Sequence, residues 1–232
     1  MTVHSQLTSP RVIGLLCWSL LPSLTIWVGL YVIKSAAWAY ALYHGIFLLP
    51  AIIIGRALWL KTLTWPRPRD VLIVLMAAIL FCAVAVVAYE VAGRLVLSNA
   101  HVYELLKDVG LNKENLWIFG LYATVVNPLV EELYWRGVLL NALDNLRLPL
   151  KHFGIIWSSV TYALMHYLIF RLVMFPICTE IGIALLACYG ALMALIYRRT
   201  GSIITTALAH GLLTDLTCVA LLVDFYKTYP II

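Results

Sequence analysis

Long apolar runs, each broken by a short polar interruption, recur along the whole chain. The hydrocarbon core of a bilayer is roughly 30 Å thick and a helix rises about 1.5 Å per residue, so a spanning helix needs about 20 mostly apolar residues. Runs of that length predict membrane helices over about 12–33, 36–58, 71–93, 115–143, 153–170, 173–197 and 202–224. The first run is too long for a secretory signal and lacks a small-residue cleavage site, so it is expected to remain as a span. The longest polar stretch, Ser98 to Glu114, is too short for a core of its own and predicts an interfacial turn of helix around Tyr103 to Lys107. One all-α domain over residues 1–232 follows, a polytopic transmembrane helix bundle of about seven spans. The count becomes eight if Pro128 opens a helix of its own and leaves residues 115–126 as a separate segment.

Composition agrees with that architecture. Hydrophobic residues make up 63% and charged residues 12% of the 232 positions, with mean hydropathy +0.96, far from the balance of a soluble domain. The formal charge of +5 does not point to nucleic acid, because the basic residues form no patch with stacking aromatics. They lie mostly between spans: Arg56, Lys61, Arg67 and Arg69 at the second connection, Arg147 and Lys151 at the fourth, Arg198 and Arg199 at the sixth. Those connections share one side, so the positive-inside rule puts the N-terminus in the cytoplasm and the C-terminus outside, against the weaker pull of Lys34, Lys107, Lys113, Arg171 and Lys227. The protein is expected in the plasma membrane of a prokaryote or the endoplasmic reticulum of a eukaryote. Cys17, Cys82, Cys178, Cys188 and Cys218 fall in apolar runs without CxxC spacing and are expected to pack as small buried thiols.

Ionisable residues inside spans carry the chemical information, since each costs roughly 2.5–3.5 kcal/mol at the bilayer midplane. The fourth span holds Asn127 and then Glu131, Glu132 and Arg136; the fifth holds His166; the seventh holds His210, Thr214 and Asp215. Residues four apart share a helix face, so Glu132 can pair with Arg136 and fix packing. Glu131 points about 100° away and is left unpaired, which makes it the candidate general base. Tyr162 and His166 share one face, as do His210 and Thr214. Polar stripes in lipid turn to the bundle interior, so three helices are expected to converge on one hydrated polar cavity within the membrane. No GxSxG, no HExxH and no aspartate pair within spans is present, which removes the serine, zincin and aspartyl templates. Pro128 is expected to kink the fourth span beside Glu131. Glu180 is expected to pair with Arg171, Tyr162 to be core or to line the site, and His44 and Glu90 have no evident partner.

The ordered set Glu131-Glu132-x-x-x-Arg136, Tyr162-x-x-x-His166 and His210 with Thr214, spread over about 85 residues on separate apolar helices, resembles the CPBP family of intramembrane proteases. That family includes CAAX prenyl endopeptidases and bacteriocin-processing members. The resemblance implies a glutamic-type endopeptidase without a cofactor, acting on a membrane-associated protein or peptide. It implies that Glu131 and His166 activate water and that His210 with the polar residue after it, here Thr214, stabilises the oxyanion; Glu132, Arg136, Tyr162 and Asp215 support them. The chain departs from the family at Tyr162, usually Phe, and at Thr214, usually Asn, and the second departure leaves Asp215 as the other candidate. Two alternatives stand beside this reading. One is a zinc peptidase in which Glu131, His166 and His210 form a His₂Glu ligand set with an open fourth position. The other is a non-enzymatic immunity or scaffold protein on the same bundle. The depths of Glu131 and His166 disagree unless the fifth span is longer or tilted, which leaves the opening side of the cavity undetermined, and no feature of the chain specifies an oligomeric state.

Overall fold

The computed structural model describes residues 9–146, 150 and 152–228. Arg147 and Lys151, which entered the charge argument, lie outside the described residues. The fold is all helical among the described residues: α1 Pro10–Val32, α2 Ala36–Ile54, α3 Pro68–Val96, the short α4 Asn99–Asp108, α5 over residues 116–145, α6 Phe153–Val173, α7 Pro176–Thr200 and α8 Ile203–Thr228. Six of these, all but α4 and α5, are long and apolar enough to cross a membrane. Helix α5 is as long, and its three charges at Glu131, Glu132 and Arg136 are what set it apart from them. The protein is an integral, multi-pass membrane protein.

Helix starts follow local chemistry. Ser9, Ser35, Ser98 and Ser202 each accept a backbone N–H of the first turn that follows them, and Pro10, Pro68 and Pro176 occupy first-turn positions where a missing N–H costs nothing. Gly201, at φ 64°, caps α7 in the left-handed region and lets α8 start directly after it. A helix stands at each of the seven expected spans, six of them long and apolar enough to cross a membrane, with ends displaced by at most about four residues. The second ends at Ile54 because Gly55 breaks the helix, and Arg56–Trp59 forms a separate turn. The fifth extends to Val173, deeper toward the opposite surface than expected.

Pro128 does not divide the fourth span. Backbone angles stay helical through Val126 and Asn127, and the chain adjusts by a π-helical turn over Tyr122–Val126, so the eight-span alternative falls away. The expected Arg171–Glu180 pair is also not formed; Glu180 instead accepts the Tyr167 hydroxyl at 3.3 Å. None of the five cysteines is buried and none is bonded to another. Cys218 lines the cavity described below, and a thiol is apolar enough for the others to face lipid, so burial was not required of them.

The connections sort into two ends. At one, the Ser202 hydroxyl donates to the Thr64 carbonyl and Arg198 pairs with Asp144 at 2.6 Å, which gathers the second, fourth and sixth connections together. At the other, Ala36 N–H donates to Val109, Phe175 N–H to Val96, and the Tyr226 hydroxyl to Leu111. Helix α4 lies across this second end and is tied to α6 by a His101 Nε2 bond to the Leu172 carbonyl at 2.8 Å.

Helix α5 is the axis of the bundle. Its Tyr134, Trp135, Leu139 and Leu140 are almost wholly buried, packed by α1, α2, α6 and α7. Helix α3 is peripheral, with Ile79 and Val91 exposed at 71% and 82% and an apolar surface along its length. Such a surface suits lipid and no water. Lipid is as apolar as leucine, so close packing and internal polar bonds must hold this bundle together.

Candidate active site

The centre of the site is a buried network on α5, α7 and α8. Arg136 Nη1 donates to Glu132 Oε1 at 2.6 Å, the i,i+4 pair the sequence predicts. The same oxygen also receives His210 Nδ1 at 2.9 Å, which sequence spacing did not foresee. Arg136 Nη2 reaches the Gly190 carbonyl at 3.2 Å, and its guanidinium lies over the Tyr162 ring at 5.2 Å from the centroid. Because a carboxylate only accepts, His210 Nδ1 carries the proton in this bond and the Nε2 edge is turned to the rest of the site. Around Nε2 stand the Tyr162 hydroxyl at 3.4 Å, Asp215 Oδ1 at 3.5 Å and Glu131 Oε2 at 3.8 Å.

Glu131 is 3% exposed, and its Oε2 has no hydrogen-bond partner among the described residues. The Tyr43 hydroxyl stands beside its carboxyl and also accepts Trp135 Nε1 at 3.1 Å. His166, one turn beyond Tyr162 in a regular α-helix, donates Nδ1–H to the Tyr162 carbonyl at 3.0 Å. A carbonyl cannot donate, so this bond selects the tautomer whose Nε2 is a free acceptor.

The seventh span departs from ideal geometry where it matters. Immediately after His210 the chain makes a π turn over Gly211–Asp215, which closes i→i+5 rather than i→i+4. Asp215, five residues on, is thereby brought to the Nε2 edge of His210. Uniform 3.6-residue turns would instead put Asp215 about 100° further round the helix than Thr214. Thr214 donates its hydroxyl proton to the His210 carbonyl of its own helix at 2.9 Å, with the Tyr189 hydroxyl 3.4 Å away. Gly211 makes the arrangement possible: a Cβ there would meet the Thr124 carbonyl oxygen and lie 2.9 Å from Pro128 Cγ. The backbones of α8 and α5 therefore touch beside the two catalytic candidates Glu131 and His210.

A cavity of about 450 Å³ opens from this network toward the end covered by α4. Asn127, Glu131, His166 and Asp215 contribute its polar groups; Leu105, Leu106, Leu172, Val173, Leu222 and Phe225 are among its apolar walls. Glu131 and His166 thus line one cavity despite their different expected depths, helped by the longer α6. Thr214 is not among the lining residues and Asp215 is. Asn127 Nδ2 donates to Asp215 Oδ2 at 3.0 Å and ties α5 to α8 across the floor.

His44, which had no evident partner in the sequence, is buried and bonded through Nδ1 to the Tyr122 hydroxyl; Tyr43 and Tyr189, which the sequence did not single out, complete the surroundings of Glu131 and His210. The signal was present as an aromatic stripe at Tyr40, Tyr43, His44 and Phe47, which is helical spacing for one inward face. Among the described residues no three His, Cys, Asp or Glu side chains are grouped so as to hold a metal ion, and Glu131, His166 and His210 form no ready ligand set.

A polytopic helix bundle that gathers carboxyls and imidazoles beside an apolar cavity holds the groups that acid–base hydrolysis within a membrane would use. Residues 113–214 match the family model described as type II CAAX prenyl endopeptidase Rce1-like. The match covers 102 of the 232 residues, from just before α5 through Glu131, His166, His210 and Thr214, and over that stretch the chain is similar to the CAAX-type intramembrane proteases. No curated protein and no solved structure matches the chain.

Proposed function

We propose that this protein is a protease of the glutamic type, with Glu131 as general base, and that its substrate is a membrane-held polypeptide with an apolar or lipid-bearing segment beside the cleaved bond. The observation that carries the proposal is Glu131 itself: a 3% exposed carboxylate with an unpartnered oxygen, lining the same cavity as His166 and 3.8 Å from His210 Nε2. Water between Glu131 and the free Nε2 of His166 loses a proton to Glu131 as its oxygen attacks the peptide carbonyl. Negative charge develops on the carbonyl oxygen and is met by a proton donor at His210. Collapse of the tetrahedral centre breaks the C–N bond, and Glu131 returns the proton to the leaving amine. Glu132 and Arg136 hold His210 in orientation from behind, and Tyr162 supports both imidazoles.

The apolar walls favour the family's substrate type over a polar peptide. The test uses the purified protein in lipid nanodiscs and a farnesylated peptide ending in a Cys-aliphatic-aliphatic-X sequence, with the same peptide unprenylated as comparison. Fragment masses give the bond cleaved. The wild type is expected to cleave the farnesylated peptide, and Glu131→Gln, nearly equal in volume but unable to accept the proton, to lose about 10²–10⁴-fold in rate. Glu131→Gln activity within tenfold of wild type refutes the general-base assignment.

A further inference from the structure

We infer that Asn127 supplies a second hydrogen bond to the oxyanion in this chain, and that Asp215 is the residue that positions it. The inference rests on the peptidase reading above and assigns a donor that reading lacks. An oxyanion needs N–H or O–H groups aimed at it. Thr214 has one proton to give and already gives it to the His210 carbonyl at 2.9 Å, outside the cavity lining. Glu131 and Asp215, as carboxylates, accept only.

Asn127 meets the requirement. It is 7% exposed, lines the cavity, and lies one regular α-helical turn before Glu131, so the two share a face of α5. Its amide group faces Asp215 Oδ2 at 3.0 Å, and since an ionised carboxylate cannot donate, that side of the amide is the NH₂. One N–H is used there; the amide also lies beside the buried His44 imidazole, and its second N–H donates to no other side chain at hydrogen-bond distance among the described residues. Asp215 in turn reaches His210 Nε2 with its other oxygen at 3.5 Å. One carboxylate thus spans the two proposed donors, and the π turn over Gly211–Asp215 is what carries it to that place. The Thr at position 214 is compatible with oxyanion chemistry because the amide arrives from α5 instead of α8.

The experiment measures kcat and KM for the farnesylated peptide with the full-length chain in nanodiscs, with size-exclusion profile and unfolding midpoint recorded for each variant. Asn127→Leu is expected to lower kcat by about 10²–10³-fold with KM changed less than about threefold, the signature of a group used only as charge develops. Asp215→Leu is expected to lose a similar factor, and Asn127→Leu/Asp215→Leu to be no slower than Asn127→Leu alone, because the two act as one unit. Asp215→Asn keeps an acceptor oxygen and is expected to lose less than about tenfold, a rescue that a packing role would not require. Thr214→Val and Tyr40→Phe, which remove other hydroxyls near the cavity, are expected to stay within about threefold of wild type. Asn127→Leu turning over at the wild-type rate while Glu131→Gln is inactive overturns this inference alone. A double variant more than about tenfold slower than Asn127→Leu overturns the positioning role and assigns Asp215 to His210. Folded wild type that leaves the peptide uncut counts against the substrate reading and takes this inference with it.

Discussion

The shared carboxylate of Glu132 allows stability and catalysis to be separated by experiment. Glu132 is fully buried, and one of its oxygens holds both Arg136 at 2.6 Å and His210 at 2.9 Å. Glu132→Met preserves bulk but leaves the Arg136 guanidinium with the Gly190 carbonyl at 3.2 Å and the face of Tyr162 as its remaining partners. Removing one member of a buried ion pair costs about 3–5 kcal/mol, because the other charge stays desolvated. Arg136→Met is milder, about 1–3 kcal/mol, since Glu132 keeps His210 as a donor. In Glu132→Met/Arg136→Met both charges are gone, and replacing a buried pair by apolar bulk is often neutral; the double variant should return to within about 2 kcal/mol of wild type. Unfolding in mixed micelles with a graded denaturing detergent reads these differences. Activity should not follow stability. Without an acceptor at Nδ1 the His210 ring loses its orientation, and a misplacement of about 1 Å costs about 10²-fold. The reasoning is refuted if the double variant is as unstable as Glu132→Met, or if it regains wild-type turnover.

Two further outcomes follow from the same geometry. Gly211→Ala forces a Cβ against the Thr124 carbonyl and Pro128 Cγ, so α8 must move away from α5; overpacking of this kind costs about 1–3 kcal/mol, and kcat should fall because Glu131 and His210 sit on the two helices being separated. Gly211→Ala with unchanged midpoint and kcat would show that the close approach is not needed. Metal analysis of the purified protein and cleavage after chelator treatment test the zinc alternative, and activity is expected to survive chelation. One tightly bound zinc per chain, whose removal abolishes cleavage and whose return restores it, would replace the glutamic mechanism with a His₂Glu zinc site.

The sequence by itself determined that this is a multi-span membrane protein, because a bilayer demands apolar runs of a set length and penalises every charge within them. For the same reason it exposed Glu131, Glu132, Arg136, His166 and His210: in a span, an ionisable residue stands out against its background without any alignment. The Glu132–Arg136 pair was legible as well, since both partners lie on one helix at i,i+4 spacing. Beyond one helix, spacing no longer suffices. That His210 shares the oxygen that binds Arg136 depends on how α8 rests against α5, which Gly211 decides by contact with the Thr124 backbone. The position of Asp215 could not be extrapolated from 3.6 residues per turn, because the π turn after His210 inserts one residue into the helical count and changes which side chain faces the cavity. Asn127 likewise acquired a partner 88 residues away only through packing. Helical periodicity is a local property of the backbone, whereas the meeting of three polar stripes is set by interhelical contacts and by where each helix departs from regularity, and those are decided in the tertiary structure.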